Sequence, residues 1–201
     1  MPEQFTPQEE HILQHSFEEM SQVGVRSFTV DALAEKLGMS KKTIYKFFPT
    51  KEALIEKSVT FFLSVVERKF RKIRESNLDP ASKFVELMEF IIKQARKVPI
   101  EKVADLKIRY PDVWGIIVQF RLSRRDDFHA ILKEAQESGL VRPEIDVDIA
   151  ATLYINIINS TFLPEFFIDN DLPVRETGVT FLKMVTGGLF TEQGIKNVQI
   201  D

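Results

Sequence analysis

The chain has 201 residues, of which 44% are hydrophobic and 28% are charged, so it can bury a core as one medium domain or two small ones. A net charge of −3 argues against a protein that binds polyanions over its whole surface, and the lack of cysteine excludes disulfides and thiolate chemistry. The longest apolar runs fall far short of the roughly 20 residues that cross a bilayer. The first ten residues, MPEQFTPQEE, are polar and acidic, so we expect a cytoplasmic protein with no secretory signal and no membrane partner.

Four helices are predicted in the first part of the chain, each from a start and a stop signal. Thr6-Pro7-Gln8-Glu9 has the pattern of a capping box with proline in the first turn. Glycine ends helices well because it adopts positive φ angles without a steric penalty. These signals predict helices from Thr6 to Gly24, from Thr29 to Gly38, from Ser40 to Phe48 and from Thr50 to about Glu75.

The remainder of the chain has the apolar spacing of further helices and no alternation typical of strands. Proline and glycine residues again mark the breaks between segments. The predicted helices run from Asp79 to Ala95, from Ile100 to Arg109, from about Val113 to Ser138, from Asp146 or Asp148 to Phe162, and from Pro173 to Thr186. The sequence therefore predicts an all-α protein of about nine helices.

Positive charge is concentrated on the short third helix. Residues 1–58 contain 7 basic and 9 acidic side chains, yet the stretch from Ser40 to Lys51 contains four lysines and no acid. Lys41 and Lys42 stand at the start of this helix, where cations oppose the helix dipole, so their placement indicates an anionic partner. A helix, a tight turn with glycine and a short second helix form the layout of helix-turn-helix DNA-binding proteins.

From Leu13 to Leu54 the chain resembles the TetR family of bacterial transcriptional repressors. The resemblance is carried by FTVDALAEKLGMSKKTIYKFFPTKEAL, with matches to the family pattern at Gly24, Thr29, Val30, Ala34, Gly38, Ser40, Thr43, Tyr45, Phe48, Lys51, Glu52 and Leu54. Lys42 stands where the family often has glycine or alanine, and Phe47 replaces a more usual tyrosine or histidine. The operator sequence therefore cannot be carried over from the family.

The resemblance implies a helix-turn-helix DNA-binding domain of three helices in residues 1–52 that contacts double-stranded operator DNA. The residues that it assigns to this contact are Thr29, Lys41, Lys42, Thr43, Tyr45, Lys46, Phe47 and Lys51. Thr29, Tyr45 and Lys51 are expected at phosphates, which fix the register of the protein on DNA. Lys42 and Thr43 are expected at base edges, which give specificity.

The resemblance also implies a helical regulatory domain in residues 53–201, for ligand binding and dimerisation. Its last two helices would pair with their copies in a homodimer, and IAATLYINIINSTF is apolar nearly all round, as such an interface requires. A small hydrophobic effector that releases the repressor from DNA is expected in a pocket lined by Phe84, Met88, Ile91, Trp114, Val118, Asn156 and Asn159. The apolar members also fit a plain core, and the asparagines also fit hydrogen bonds across the dimer interface.

Two other classes of function are less well supported by the sequence. An enzyme needs a catalytic set, and we find no nucleophile with its base, no glycine-rich phosphate loop, no cofactor motif and no metal cluster. His11 and His15 have metal-ligand spacing but lack an evident third ligand, and RRDDFH, residues 124–129, fits a salt-bridged surface. A protein that coats DNA without a ligand switch is disfavoured by the negative net charge.

Overall fold

The computed structural model describes residues 5–197, and these residues confirm the predicted all-α fold. The described helices are α1 (Pro7–Ser27), α2 (Val30–Leu37), α3 (Lys41–Phe47), α4 (Lys51–Arg74), α5 (Pro80–Ala95), α6 (Ile100–Arg109), α7 (Pro111–Leu122), α8 (Arg125–Glu137), α9 (Val147–Ser160), α10 (Pro164–Asp169), α11 (Val174–Leu189) and α12 (Glu192–Lys196). Within the same residues, β pairing is limited to an isolated antiparallel bridge between Val141 and Phe190.

The described residues contain twelve helices where the sequence predicted about nine. The helix predicted from Val113 to Ser138 is two helices, because a tighter turn interrupts the α-helical hydrogen bonding between Leu122 and Arg125. There the backbone N–H of Arg124 donates to the carbonyl of Arg121, three residues back, at 3.1 Å. The other two are α10 and α12, which are too short to produce a periodic apolar pattern.

The predicted capping box at the start of α1 is confirmed. The Thr6 hydroxyl accepts a hydrogen bond from the Glu9 backbone N–H at 3.3 Å, and the Glu9 carboxylate accepts one from the Thr6 N–H at 2.7 Å. The predicted stop at Gly24 is confirmed as a break in the helical conformation, after which α1 resumes through a kink and runs to Ser27. Gly24 has φ 81° and ψ 156°, a conformation that is essentially restricted to glycine.

The chain divides into two compact units. Within the described residues, the first unit comprises the chain up to Arg68 together with Glu101–Ile117. Its core is built by the inward faces of the first four helices, with buried residues that include Ile12, Leu13, Phe28, Leu33, Ile44 and Ile55. Leu106 of α6 and Tyr110, which directly follows α6, pack against this core from a distant part of the sequence.

The second unit comprises Lys69–Ile100 and the described chain from Val118 onward. Its core is rich in phenylalanine, with the Phe84 ring centroid 5.8 Å from that of Phe128 and 5.5 Å from that of Phe190. Both contacts are edge-to-face, an arrangement that adds an electrostatic attraction to the burial of the rings.

The segment RRDDFH differs from the salt-bridged surface predicted for it, because Asp127 is buried in the second unit. The Asp127 carboxylate pairs with Arg74 of α4 and, at 3.0 Å, with Arg124 at the start of α8. Asp126 beside it is exposed and pairs with Arg125. Two arginine partners make a buried carboxylate tolerable, so these ion pairs join α4 to α8.

No helix in the described part of the chain is both long enough and apolar enough to cross a membrane.

Candidate nucleic-acid interface

The second and third helices form a helix-turn-helix inside the first unit. Gly38 ends α2 in the left-handed conformation, with φ 61°, and the Met39 N–H then donates to the Ala34 carbonyl at 2.9 Å. Ser40 begins α3, since its hydroxyl accepts a hydrogen bond from the Thr43 N–H at 3.0 Å. The turn between the helices is therefore fixed by backbone and side-chain hydrogen bonds.

The orientation of α3 is set by two apolar anchors. Ile44 and Phe48 are buried in the core of the first unit, as the sequence predicted. Since residues on opposite sides of a helix point away from each other, this anchoring directs Lys41, Lys42 and Lys46 outward. All three lysines are exposed, and α3 has no acidic residue in its first turn.

One lysine of this face already has an acidic partner within the unit. The Lys41 ammonium lies 2.8 Å from a carboxylate oxygen of Asp31 on α2. The hydrogen bond to Asp31 raises the pKa of Lys41, so its ammonium stays protonated at neutral pH. The pair also ties the start of the third helix to the start of the second.

Thr29, Tyr45 and Phe47 are placed around this face. Thr29 is exposed at the start of α2, where its hydroxyl accepts a hydrogen bond from the Ala32 N–H at 3.2 Å. Tyr45 and Phe47 are half-buried, with their rings packed against the core of the first unit. Thr43 is half-buried too, and its hydroxyl lies 2.8 Å from that of Ser40.

Lys51 has a structural partner that the sequence did not predict. Its ammonium donates to the Phe28 carbonyl at 2.5 Å and lies 3.5 Å from the Val25 carbonyl. It also lies 5.7 Å from the centroid of the Phe28 ring. Lys51 therefore joins the end of α1 to the start of α4, and the phosphate contact expected of it remains a prediction.

The residues predicted to line a ligand pocket are divided between the two units. Trp114 is buried in the first unit, and the other six belong to the second. Phe84 and Met88 are buried in α5, whereas Ile91 on the same helix and Val118 on α7 are half-buried. A pocket that joins all seven residues remains a prediction.

The two predicted asparagines differ in their surroundings. Asn156 is exposed on α9, and its side-chain amide donates to the Thr152 carbonyl at 2.8 Å. Asn159, one turn later, has both its amide nitrogen and its amide oxygen buried, and neither has a hydrogen-bond partner within residues 5–197. The structure thus separates two residues to which the sequence assigned the same role.

Lys102, Leu106 and Tyr110 were missed by the sequence reasoning. They recur every four residues along α6 and the residue that follows it, and Leu106 and Tyr110 pack against the helix-turn-helix core. The Lys102 ammonium donates to the carbonyl of Gln22, just before the kink in α1. The spacing of these residues signals a helix face, but it carries no information about which helix that face contacts.

Groups of three or more side chains suited to holding a metal ion are absent from the part of the chain that the structure describes. His11 and His15 form an isolated pair on α1, with ring centroids 4.4 Å apart and one ring nitrogen of His15 lying 2.9 Å from the His11 carbonyl.

Comparison with known proteins identifies the helix-turn-helix. Residues 12–57 match the family model described as "Bacterial regulatory proteins, tetR family". These residues therefore form a DNA-binding module of the tetR type. The matched residues run from the interior of α1 to the first turns of α4, so they contain the whole of the lysine-rich face. The chain is accordingly a DNA-binding transcriptional regulator.

Relatives of the chain match it along most of its length. It is 24% identical to the HTH-type transcriptional regulator YvaF of Bacillus subtilis, over 92% of this chain and 97% of that protein. The solved structure of the ketosteroid transcriptional regulator KstR2 of Mycobacterium tuberculosis covers 94% of this chain and 98% of its own, with 20% identity and a TM-score of 0.56. A transcriptional regulator from Cytophaga hutchinsonii shares the fold with a TM-score of 0.74 and 15% identity, over 92% of this chain and 100% of its own.

Proposed function

We propose that this protein is a cytoplasmic homodimeric repressor that binds a near-palindromic operator and is released from it by a small hydrophobic effector. The exposed lysine face of α3 carries the proposal. Ile44 anchors the opposite side of this helix in the core, so Lys42 and Lys46 stand out from a rigid support. A short helix held in this way fits the major groove, where its first residues meet base edges.

The proposed DNA contacts divide into two kinds. Lys42 and Thr43, at the start of α3, are the proposed base contacts, because a lysine ammonium and a threonine hydroxyl can both bond to base edges. The proposed phosphate contacts come from charged or hydroxyl-bearing side chains around them, namely Thr29, Lys41, Tyr45 and Lys46. Phe47 offers only its ring edge to the DNA, so we assign it a packing contact without a hydrogen bond.

An exposed apolar face supports the proposed homodimer. Ile149 and Leu153, one turn apart on α9, are 58% and 57% exposed, and Met184 on α11 is 70% exposed. Large apolar side chains that share a helix face in this way are typical of a protein interface. A dimer that binds successive major grooves needs its two recognition helices about 34–36 Å apart.

An apolar effector is supported by the interior of the second unit and by one relative. Phe84, Met88 and Tyr154 are all buried there. KstR2, which has the same fold, is described as a ketosteroid transcriptional regulator. We therefore propose an effector with a large apolar body.

The proposal is tested by selecting genomic fragments on the purified dimer and footprinting the best one. We expect Lys42→Ala to change base preference at one position, at a cost of about 1–3 kcal/mol. We expect Tyr45→Phe to weaken all fragments alike, because a phosphate contact carries no sequence information. Dissociation constants at several salt concentrations measure both effects.

Lys133→Ala is the matched control for these substitutions, because Lys133 is an exposed lysine on α8 in the second unit. We expect it to leave the operator affinity unchanged. If Lys42→Ala and Tyr45→Phe behaved like this control at every salt concentration, the assigned contacts would be wrong. A footprint that spread without a boundary would favour a protein that coats DNA.

A further inference from the structure

An aromatic cluster in the second unit joins α9 to α11. The Phe181 ring of α11 lies nearly parallel to the Tyr154 ring, with centroids 5.9 Å apart and an interplanar angle of 19°. The same ring lies 5.0 Å from the centroid of Phe162, which follows the end of α9. Phe181 therefore contacts two rings that are separated by about two turns of helix.

Asn159 lies between these two rings in the sequence. It comes five residues after Tyr154 and three residues before Phe162, and both atoms of its amide are buried without a hydrogen-bond partner in the described chain. A buried amide normally finds a partner, because a donor or acceptor without one loses its hydration and gains nothing in return. An amide in this condition is suited to a ligand that supplies the missing bonds.

Tyr154 provides a second polar group with a weak partner. The residue is 5% exposed, and its hydroxyl donates to the thioether sulfur of Met88 at 2.5 Å. A thioether is a poor acceptor, so a carbonyl or hydroxyl oxygen competes well for this proton. Burial raises the pKa of Tyr154, which keeps the hydroxyl protonated and able to donate.

A second copy of the chain does not explain the unmet bonds of Asn159. Both of its polar atoms are buried within a single chain, so a partner that covers the outer face of α9 does not reach them. Asn156 is exposed, like Ile149 and Leu153 of the proposed dimer face. We therefore assign Asn156 to the proposed dimer interface and Asn159 to the interior of the second unit.

We propose that Tyr154, Asn159, Phe162 and Phe181 bind the effector through a neutral carbonyl or hydroxyl group, with its apolar body against the rings. This inference rests on the proposed function and names the chemistry of its ligand. Asn159 and Tyr154 are uncharged, and burying a charged ligand group beside them without an opposite charge is strongly unfavourable. The site thus favours neutral oxygen-bearing compounds over acids and over pure hydrocarbons.

Acetophenone, ethylbenzene and benzoate test this inference on the full-length dimer. Acetophenone and ethylbenzene have nearly the same shape, but only acetophenone has a carbonyl oxygen. NMR titrations that follow the Asn159 side-chain amide give the dissociation constants. We expect acetophenone to bind about 3- to 10-fold more tightly than ethylbenzene, because one or two hydrogen bonds distinguish them, and benzoate to bind more weakly than either.

Asn159→Leu and Asn156→Leu form a matched pair of variants. We expect Asn159→Leu to bring the acetophenone-to-ethylbenzene ratio to about one, and Asn156→Leu to preserve it. We also expect Asn159→Leu to raise the midpoint of thermal unfolding without ligand, because it removes a buried amide that has no partner. A lower midpoint would show that Asn159 is hydrogen-bonded in the folded protein, which would overturn the inference.

Four other results would overturn the inference. They are equal binding of acetophenone and ethylbenzene, a preference that survives Asn159→Leu, benzoate binding as tight as that of acetophenone, and no shift of the Asn159 amide at probe concentrations up to about 10 mM. Operator footprints on the same samples keep the two proposals apart. If the footprint is intact and the probes fail, the ligand chemistry is wrong and the repressor stands. A lost footprint contradicts the repressor whatever the probes do.

Discussion

Lys51 is a residue whose type was predictable but whose contacts were not. The family pattern assigns it to DNA, whereas its ammonium contacts the carbonyls of Phe28 and Val25 at the end of α1. Carbonyls in the last turn of a helix lack intrahelical partners, and a lysine ammonium satisfies them well. A pattern of residue types cannot distinguish these roles, because the same cation suits a phosphate and a helix C-terminus.

Replacing Lys51 separates the two roles. Met is similar in length and apolar, so Lys51→Met keeps the packing on Phe28 and removes the hydrogen bonds. We expect a loss of about 1–2 kcal/mol in the free energy of unfolding, measured with denaturant, since the side chain is only half-buried. An unchanged salt dependence of operator binding would show that Lys51 serves only these carbonyls. A slope smaller by about one would show instead that Lys51 contacts a phosphate.

At the scale of helices, the sequence predicted the helix starts and ends that are set by residues close together in the chain. The capping box of Thr6 and Glu9, the left-handed end of α2 at Gly38 and the start of α3 at Ser40 are all present. The break between α7 and α8 was missed, because it has no proline or glycine to signal it. The predicted break at Gly24 is present too, but the sequence did not predict that the helix resumes after it.

Gly24 and Gly115 give a paired test of that kink. Gly24 has φ 81°, and a Cβ atom at this position would lie 3.4 Å from the Lys102 side chain. Gly115 lies inside α7, with nothing within 4 Å of such an atom. We expect Gly24→Ala to lower the free energy of unfolding by about 1–3 kcal/mol. Gly115→Ala is expected to raise it by about 0.5–1 kcal/mol, because alanine favours a helix.

Denaturant unfolding of both variants measures whether the free energy of unfolding falls for Gly24→Ala and rises for Gly115→Ala. Equal effects of the two substitutions would mean that α1 runs straight through Gly24 in solution. In that case the contact between Lys102 and Gln22 would also lose its explanation, since a straight helix keeps the Gln22 carbonyl in its own hydrogen-bond ladder.

At the scale of the whole molecule, the family signature located the DNA-binding surface but not all of the unit that carries it. The signature ends at Leu54, whereas the first unit also contains Glu101–Ile117. Nothing in a single sequence links α6 to the helix-turn-helix, because contacts between distant segments leave only ordinary helical spacing. Asn156 and Asn159 of α9 were also recognised, but the structure was needed to show that one is exposed and that the amide of the other is buried.

The proposed dimer is tested by placing a charge on its exposed apolar face. We expect Leu153→Glu to convert the dimer to a folded monomer, because a buried carboxylate without a partner is strongly unfavourable. Ile108→Glu is the matched control, since Ile108 is 75% exposed on α6 and lies outside the proposed face. Analytical ultracentrifugation measures the masses, and circular dichroism verifies that both variants are helical. A dimer that survives Leu153→Glu would contradict the interface.

The ion pair between Lys41 and Asp31 has a consequence for how the protein searches a genome. A lysine that is already paired with a carboxylate attracts non-cognate DNA less than a bare lysine does, and its pairing must break before it meets a phosphate. Together with the net charge of −3, we expect this pairing to shorten residence on the vast excess of random sequence. On that expectation the regulator spends more of its time free to sample new stretches of chromosome.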